Sequence, residues 1–128
     1  MAHDTRETAR LRLAALTARP AAGGAPAYRL AEDAALLGRL LAVTGRVWAD
    51  AEDVPEITVG DIGAALSLFD GLRLQVDRLE SQVVMEARRR GMDWRQIAQH
   101  QGLNSSQAAS QRHQRLTTRL EEIRQGVR

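Results

Sequence analysis

Between Thr58 and Arg90 the chain repeats apolar residues in steps of three and four: Ile62, Leu66, Phe69, Leu72, Val76, Leu79, Val83. Only an α-helix places such a series on one side, and no Pro interrupts it. A helix of some 33 residues would be roughly 50 Å long at ~1.5 Å per residue. It is longer than a small domain is wide, so the rest of the chain must pack along it. Thr58 is placed to cap its start, with Asp61 in the first turn favoured by the helix dipole. Gly71 is the weak point and the expected site of any kink. Arg73–Asp77 and Glu86–Arg90 are spaced to pair along the exposed side. Two uses of the seam are open: packing on a neighbouring helix of the same chain, or self-association.

The other segments also read as helical. Thr5 to Ala18 has Ala9, Leu13 and Leu16 on one face, and its Arg6, Arg10, Arg12 and Arg19 suit either a solvated end helix or a phosphate-contacting arm. Residues 20–26, PAAGGAP, are a linker by composition. From Tyr28 to about Trp48, Leu30, Ala34, Leu37, Leu41 and Trp48 mark an apolar face widened by Leu40 and Val47, while Leu36 and Val43 fall outside it. Such a helix is apolar on more than one side, so it lies centrally or meets a partner. Asp50, Glu52, Asp53 and Glu56 crowd the next connector, but their spacing fits no calcium loop and lacks its central Gly. They read as solvated. With 44% hydrophobic but only 3% aromatic residues, Leu, Ala and Val must supply the core, which favours helices over sheets.

Residues 93–116, DWRQIAQHQGLNSSQAASQRHQRL, read as two short helices around a tight turn. Asp93 with Gln96, and Asn104 with Gln107, are spaced as amide variants of the capping box. Gly102 supplies the left-handed position that ends the first helix. Ile97, Ala98 and Leu103 then point inward, Ala98 being small enough for a close crossing. Arg88-Arg89-Arg90 before Gly91 suits a helix C-terminus electrostatically and equally suits contact with phosphates.

This stretch resembles the helix-turn-helix of the promoter-reading C-terminal domain of sigma factors and of response-regulator output domains. The run Gly102, Leu103, Asn104, Ser105, Ser106, Gln107, Ala108 carries the likeness, and the match covers about a fifth of the chain. One departure stands out: Arg112 occupies a position that is usually apolar. On the inward side of its helix a guanidinium needs a carboxylate, and Glu86 or Asp93 is the expected partner.

Charge is divided unevenly. Residues 1–85 hold 9 Arg against 12 acids, net −3, and residues 86–128 hold 9 Arg against 4 acids, net +5. A basic half that coincides with the capped helix pair is the footprint of a nucleic-acid binder. All 18 basic residues are Arg, the coding signature of a GC-rich bacterial genome. The second helix of the pair, expected to reach about Gln125, puts Ala108, Ala109, Leu116, Leu120 and Ile123 on one side. Its other side carries Ser106, Gln107, Ser110, Gln111 and Gln114, with no acid before Glu121. A solvated helix face normally carries Glu and Lys. Small hydroxyls and amides instead fit a groove floor, where Gln bonds adenine N6 and N7 in a bidentate way. These five are the base-edge candidates, and Arg88, Arg89, Arg90, Arg95, Arg115 and Arg119 the phosphate candidates.

The expectation is an all-α helical bundle with one long central helix and a C-terminal helix-turn-helix. Residues 1–27 form an arm and linker, 28–90 a helical oligomerisation region, and 91–128 the DNA-binding region. Function follows as a cytoplasmic, nucleoid-bound homodimer on double-stranded DNA, a transcriptional regulator or nucleoid-associated protein. The alternative is an interaction module for RNA polymerase, a sigma factor or a phage packaging component, engaged through the acidic N-terminal half. Catalysis is not expected. Cysteine is absent, the three histidines (His3, His100, His113) have no metal-site spacing, and neither a phosphate loop nor a nucleophile motif occurs, so no cofactor or metal is implied. The Leu11–Ala18 run is too short and too charged for a signal peptide, and no stretch approaches a membrane span.

Overall fold

The computed structural model describes residues 2–16, 28–45 and 56–126. These form five helices and no strand: α1 (Ala2–Leu16), α2 (Tyr28–Gly45), α3 (Val59–Arg89), α4 (Trp94–Gln101) and α5 (Ser106–Arg124). The fold is all-α with one long central helix. The linker 20–26, Arg19, Val47, Trp48 and the acidic connector through Pro55 lie outside the described residues.

α3 begins on a reciprocal cap. Asp61 N–H donates to Thr58 Oγ1 at 3.2 Å, and Thr58 N–H donates to Asp61 Oδ2 at 2.9 Å. The helix then runs through Gly71 without a break for 31 residues. It stops at Gly91, whose φ of 89° is in the left-handed region. There Met92 N–H returns to Ala87 O and Gly91 N–H to Arg88 O, both at 3.0 Å, which satisfies carbonyls the helix end would leave open. α4 repeats the scheme. Asp93 and Gln96 exchange bonds of 2.8 and 2.9 Å, and Gly102, with φ of 72°, is followed by Leu103 N–H bonding Ala98 O at 2.8 Å.

The start of α5 differs from expectation by one residue. Ser105, not Asn104, is the cap: its extended backbone leaves its carbonyl to Ala109 N–H, and its Oγ accepts from Ala108 N–H at 3.0 Å. Gln107 therefore falls one position short of the site from which a side chain reaches back to the cap, and no reciprocal bond forms. Ser105→Ala is expected to cost about 1 kcal/mol, and Asn104→Ala less than about 0.5 kcal/mol, in paired thermal melts. Equal losses would contradict this assignment.

The core lies where three helices meet. Val84 of α3, Ile97 and Ala98 of α4 and Ala109 of α5 are buried, with Ala87, Met92, Trp94 and Leu103 packed around them. Ser81 is buried beside them. α5 packs on both α4 and the second half of α3, and α2 packs on the first half of α3. The described side chains of α1 are exposed throughout.

Two expectations about helix faces need correction. On α2 the half-buried line is Leu30, Asp33, Leu37, Leu40 and Val43, while Ala34 and Leu41 are exposed. The contact is turned because α2 meets α3 in a cleft of Leu36, Leu37 and Leu40 against Asp61, Ala64, Ala65, Ser67 and Leu68. Consequently the apolar ladder of α3 is not the surface that α2 covers. Leu72 and Leu79 are half-buried, but Ile62, Leu66, Phe69, Val76 and Val83 are exposed.

Candidate nucleic-acid interface

α5 is fixed against α3 by two ion pairs. Arg112 makes a two-pronged contact with Glu80, Nε to Oε2 at 2.6 Å and Nη2 to Oε1 at 2.8 Å. Arg119 Nη1 lies 3.2 Å from Asp77 Oδ2. The expected partners of Arg112 are otherwise engaged: Glu86 accepts from Arg89 and Arg90, and Asp93 caps α4. The inward side of α5 meets α3 about two turns before Glu86, which is why Glu80 is within reach. Asp77 is likewise taken by Arg119 rather than Arg73, whose guanidinium lies 5.8 Å from the centre of the Phe69 ring. The expected Glu86–Arg90 pair does form, at 2.7 Å.

Hydrogen bonds from Arg112 hold the Glu80 carboxyl below the usual carboxylate range, against an opposing effect of partial burial. A carboxyl lowered in the folded state stabilises the fold above its unfolded pKa, and that contribution is lost as pH falls through the folded value. Glu80→Gln is therefore expected to cost about 1 kcal/mol at neutral pH. In urea titrations across pH, the gap from wild type should close below the ordinary carboxylate value of 4.5. A gap that persists in acid would show that the loss is not electrostatic. Glu86 is also held low, to about 2, by hydrogen bonds from Arg89 and then Arg90.

Trp94 is a contact the sequence reading passed over. Its ring lies 5.0 Å beneath the Arg88 guanidinium and 5.7 Å from the His113 ring, so it ties the end of α3 to the middle of α5. Arg88 also donates to Met92 O at 3.1 Å. His113 is thus a packing residue, with its Nδ1 buried. The signal for this cluster was present: a large aromatic directly after a capping Asp has to be accommodated against the neighbouring helices.

The five base-edge candidates share the outer side of α5. Ser106, Gln107, Gln111 and Gln114 are exposed and Ser110 is half-buried. The phosphate candidates divide. Arg89 and Arg90 are paired with Glu86, Arg119 with Asp77, and Arg88 is stacked on Trp94. Arg95 and Arg115 are exposed and have no carboxylate partner among the described residues. Arg115 stands beside Gln111, Gln114, Thr118, Arg119 and Glu122 along one shallow groove of α5. The result is a run of hydroxyls and amides without an acid from Ser106 to Gln114, beginning at the positive end of α5, with Arg115 beside it and Glu122 entering only farther along the groove.

Among the described residues no group of His, Asp and Glu is placed to hold a metal ion, and no helix is long and apolar enough to cross a membrane. Comparison with family models, with curated proteins and with solved structures finds no match to this chain.

Proposed function

We propose that the chain is a DNA-binding protein, a transcriptional regulator or nucleoid-associated protein, that inserts residues 105–115 into the major groove and acts as a homodimer. The observation that carries this reading is the outer face of α5: Ser106, Gln107, Ser110, Gln111 and Gln114 uninterrupted by acid, on a helix whose opposite side is clamped to α3 and α4. In this reading Arg95 and Arg115 are the first phosphate contacts. Arg88, Arg89, Arg90 and Arg119 join only by sharing or exchanging their internal partners. Base-edge contacts set specificity, and the arginines set affinity and its dependence on salt.

The test is a titration of random duplex and of genomic fragments at about 50 and 200 mM salt, across which several phosphate contacts lose orders of magnitude in affinity. A steep loss supports the reading. A fragment preference on top makes the protein a regulator, and none makes it architectural. No binding at the lower salt sinks it. The exposed Leu36 and Leu41 of α2, within the acidic half, then favour the protein-partner alternative (RNA polymerase, a sigma factor or a phage packaging component).

A further inference from the structure

Eight positions on α3 follow a period of seven. Val59, Leu66, Arg73 and Glu80 form one line, and Ile62, Phe69, Val76 and Val83 alternate with them at steps of three and four. The six apolar members are between 38% and 89% exposed, so none of the described helices covers them, and only Glu80 on the strip is engaged by another helix, through Arg112 of α5. Such spacing is what two helices use to supercoil about each other. The strip from Val59 to Val83 is roughly 36 Å long at ~1.5 Å per residue. Two copies paired along it remove on the order of 1,000 Å² from water, the lower bound for specific association.

We propose that a second copy of this chain covers the strip, antiparallel, with the two-fold axis at the level of Gly71. Charge decides the direction. A parallel pair in register sets Arg73 against Arg73, two guanidiniums with no carboxylate partner among the described residues, and brings Glu80 against Glu80 as well. The antiparallel pair centred on residue 71 sets Val59 against Val83 and Leu66 against Val76. It also sets Arg73 against Phe69 of the second copy, the contact that Arg73 already makes within its own helix. Glu80 meets Ile62 of the second copy with its carboxylate already engaged by Arg112.

This arrangement also serves the DNA reading, on which its functional meaning rests. Ser81 and Val84, where each C-terminal unit is anchored, lie ten and thirteen residues beyond the axis. The two anchor points are then roughly 35 Å apart by helix rise, against the ~34–36 Å of one turn of duplex that separates paired reading helices. The side of α3 that meets α5 (Asp70, Leu74, Asp77, Ser81, Val84) is turned about 80° from the strip at ~100° per residue. A two-fold axis perpendicular to the α3 pair therefore leaves both α5 helices on the same side of the dimer.

The full chain has no cysteine, so single placements report the geometry directly. Light scattering should give twice the 14.1 kDa of one chain. With a short bis-maleimide, Arg73→Cys should cross-link to itself. Val83→Cys should not, but should cross-link when mixed with Val59→Cys. Leu66→Glu with Val76→Glu should halve the mass and keep the helical signal. A single-chain mass for wild type at micromolar concentration overturns the proposal, and so does self-linking of Val83→Cys, which marks a parallel pair. DNA binding is read separately. A dimer that ignores DNA keeps the seam and sinks the DNA reading, whereas a salt-sensitive monomeric binder does the reverse.

Discussion

Ile97→Ala is expected to cost about 2–4 kcal/mol, because it empties the centre of a core with few other buried side chains. Ile97 is 4% exposed and packs with Val84, Ala98 and Ala109, the only other buried apolar residues among those described. Three of its neighbours come from three different helices, so no single element can collapse into the space. The loss should be confined to the C-terminal unit. In amide hydrogen exchange, α4 and α5 should lose protection by about one and a half to three orders of magnitude, at about 1.4 kcal/mol per tenfold. The first half of α3, held by α2 and its own cap, should change little. Protection lost evenly over all five helices would mean that the chain folds as one cooperative unit and that this core is not its separate centre.

Arg115→Ala and Arg119→Ala should separate DNA affinity from stability. The two residues sit one turn apart on α5, yet Arg119 is held by Asp77 and Arg115 has no carboxylate partner among the described residues. Removing Arg115 should leave the melting temperature within a degree or two and weaken duplex binding by about tenfold at low salt. The slope of log affinity against log salt should fall by about 0.9 per site removed. Removing Arg119 should instead lower stability, since it strands Asp77 at the α3–α5 contact, with a smaller change in salt slope. If the two variants lose equal slope, Arg119 leaves Asp77 for phosphate on binding, and the division of arginines drawn above is wrong.

Local signals in the sequence were the most legible. Thr58 with Asp61, Asp93 with Gln96, and the glycines at 91 and 102 each act within one helical turn, and each forms the bond its spacing implies. Ser105 displaced Asn104 as the cap of α5 because both residues can cap, and only the phase of the turn after Gly102 chooses between them. Partners across helices were less legible. Arg112 plainly needed a carboxylate, but which one depended on how far α5 slides along α3, a distance that no short-range pattern encodes. The same holds for Asp77, which had an eligible arginine four residues away and took one forty-two residues on. The ladder of α3 was correct as a periodicity and open as a destination: a repeat says which residues share a side, not what covers it. The outer face of α5 was legible for the opposite reason. It is defined by what helix geometry turns away from the core, and Ile97, Ala98 and Ala109 had already set the inward side.

The central claim is that the outer face of α5 meets DNA, and backbone amide chemical shifts on adding a short duplex test it residue by residue. Shifts are expected at Ser106, Gln107, Ser110, Gln111, Gln114 and Arg115, and at Arg95 across the turn, with α2 unmoved. Shifts confined to α2 and the first half of α3, or none at low salt with the fold intact, would contradict it.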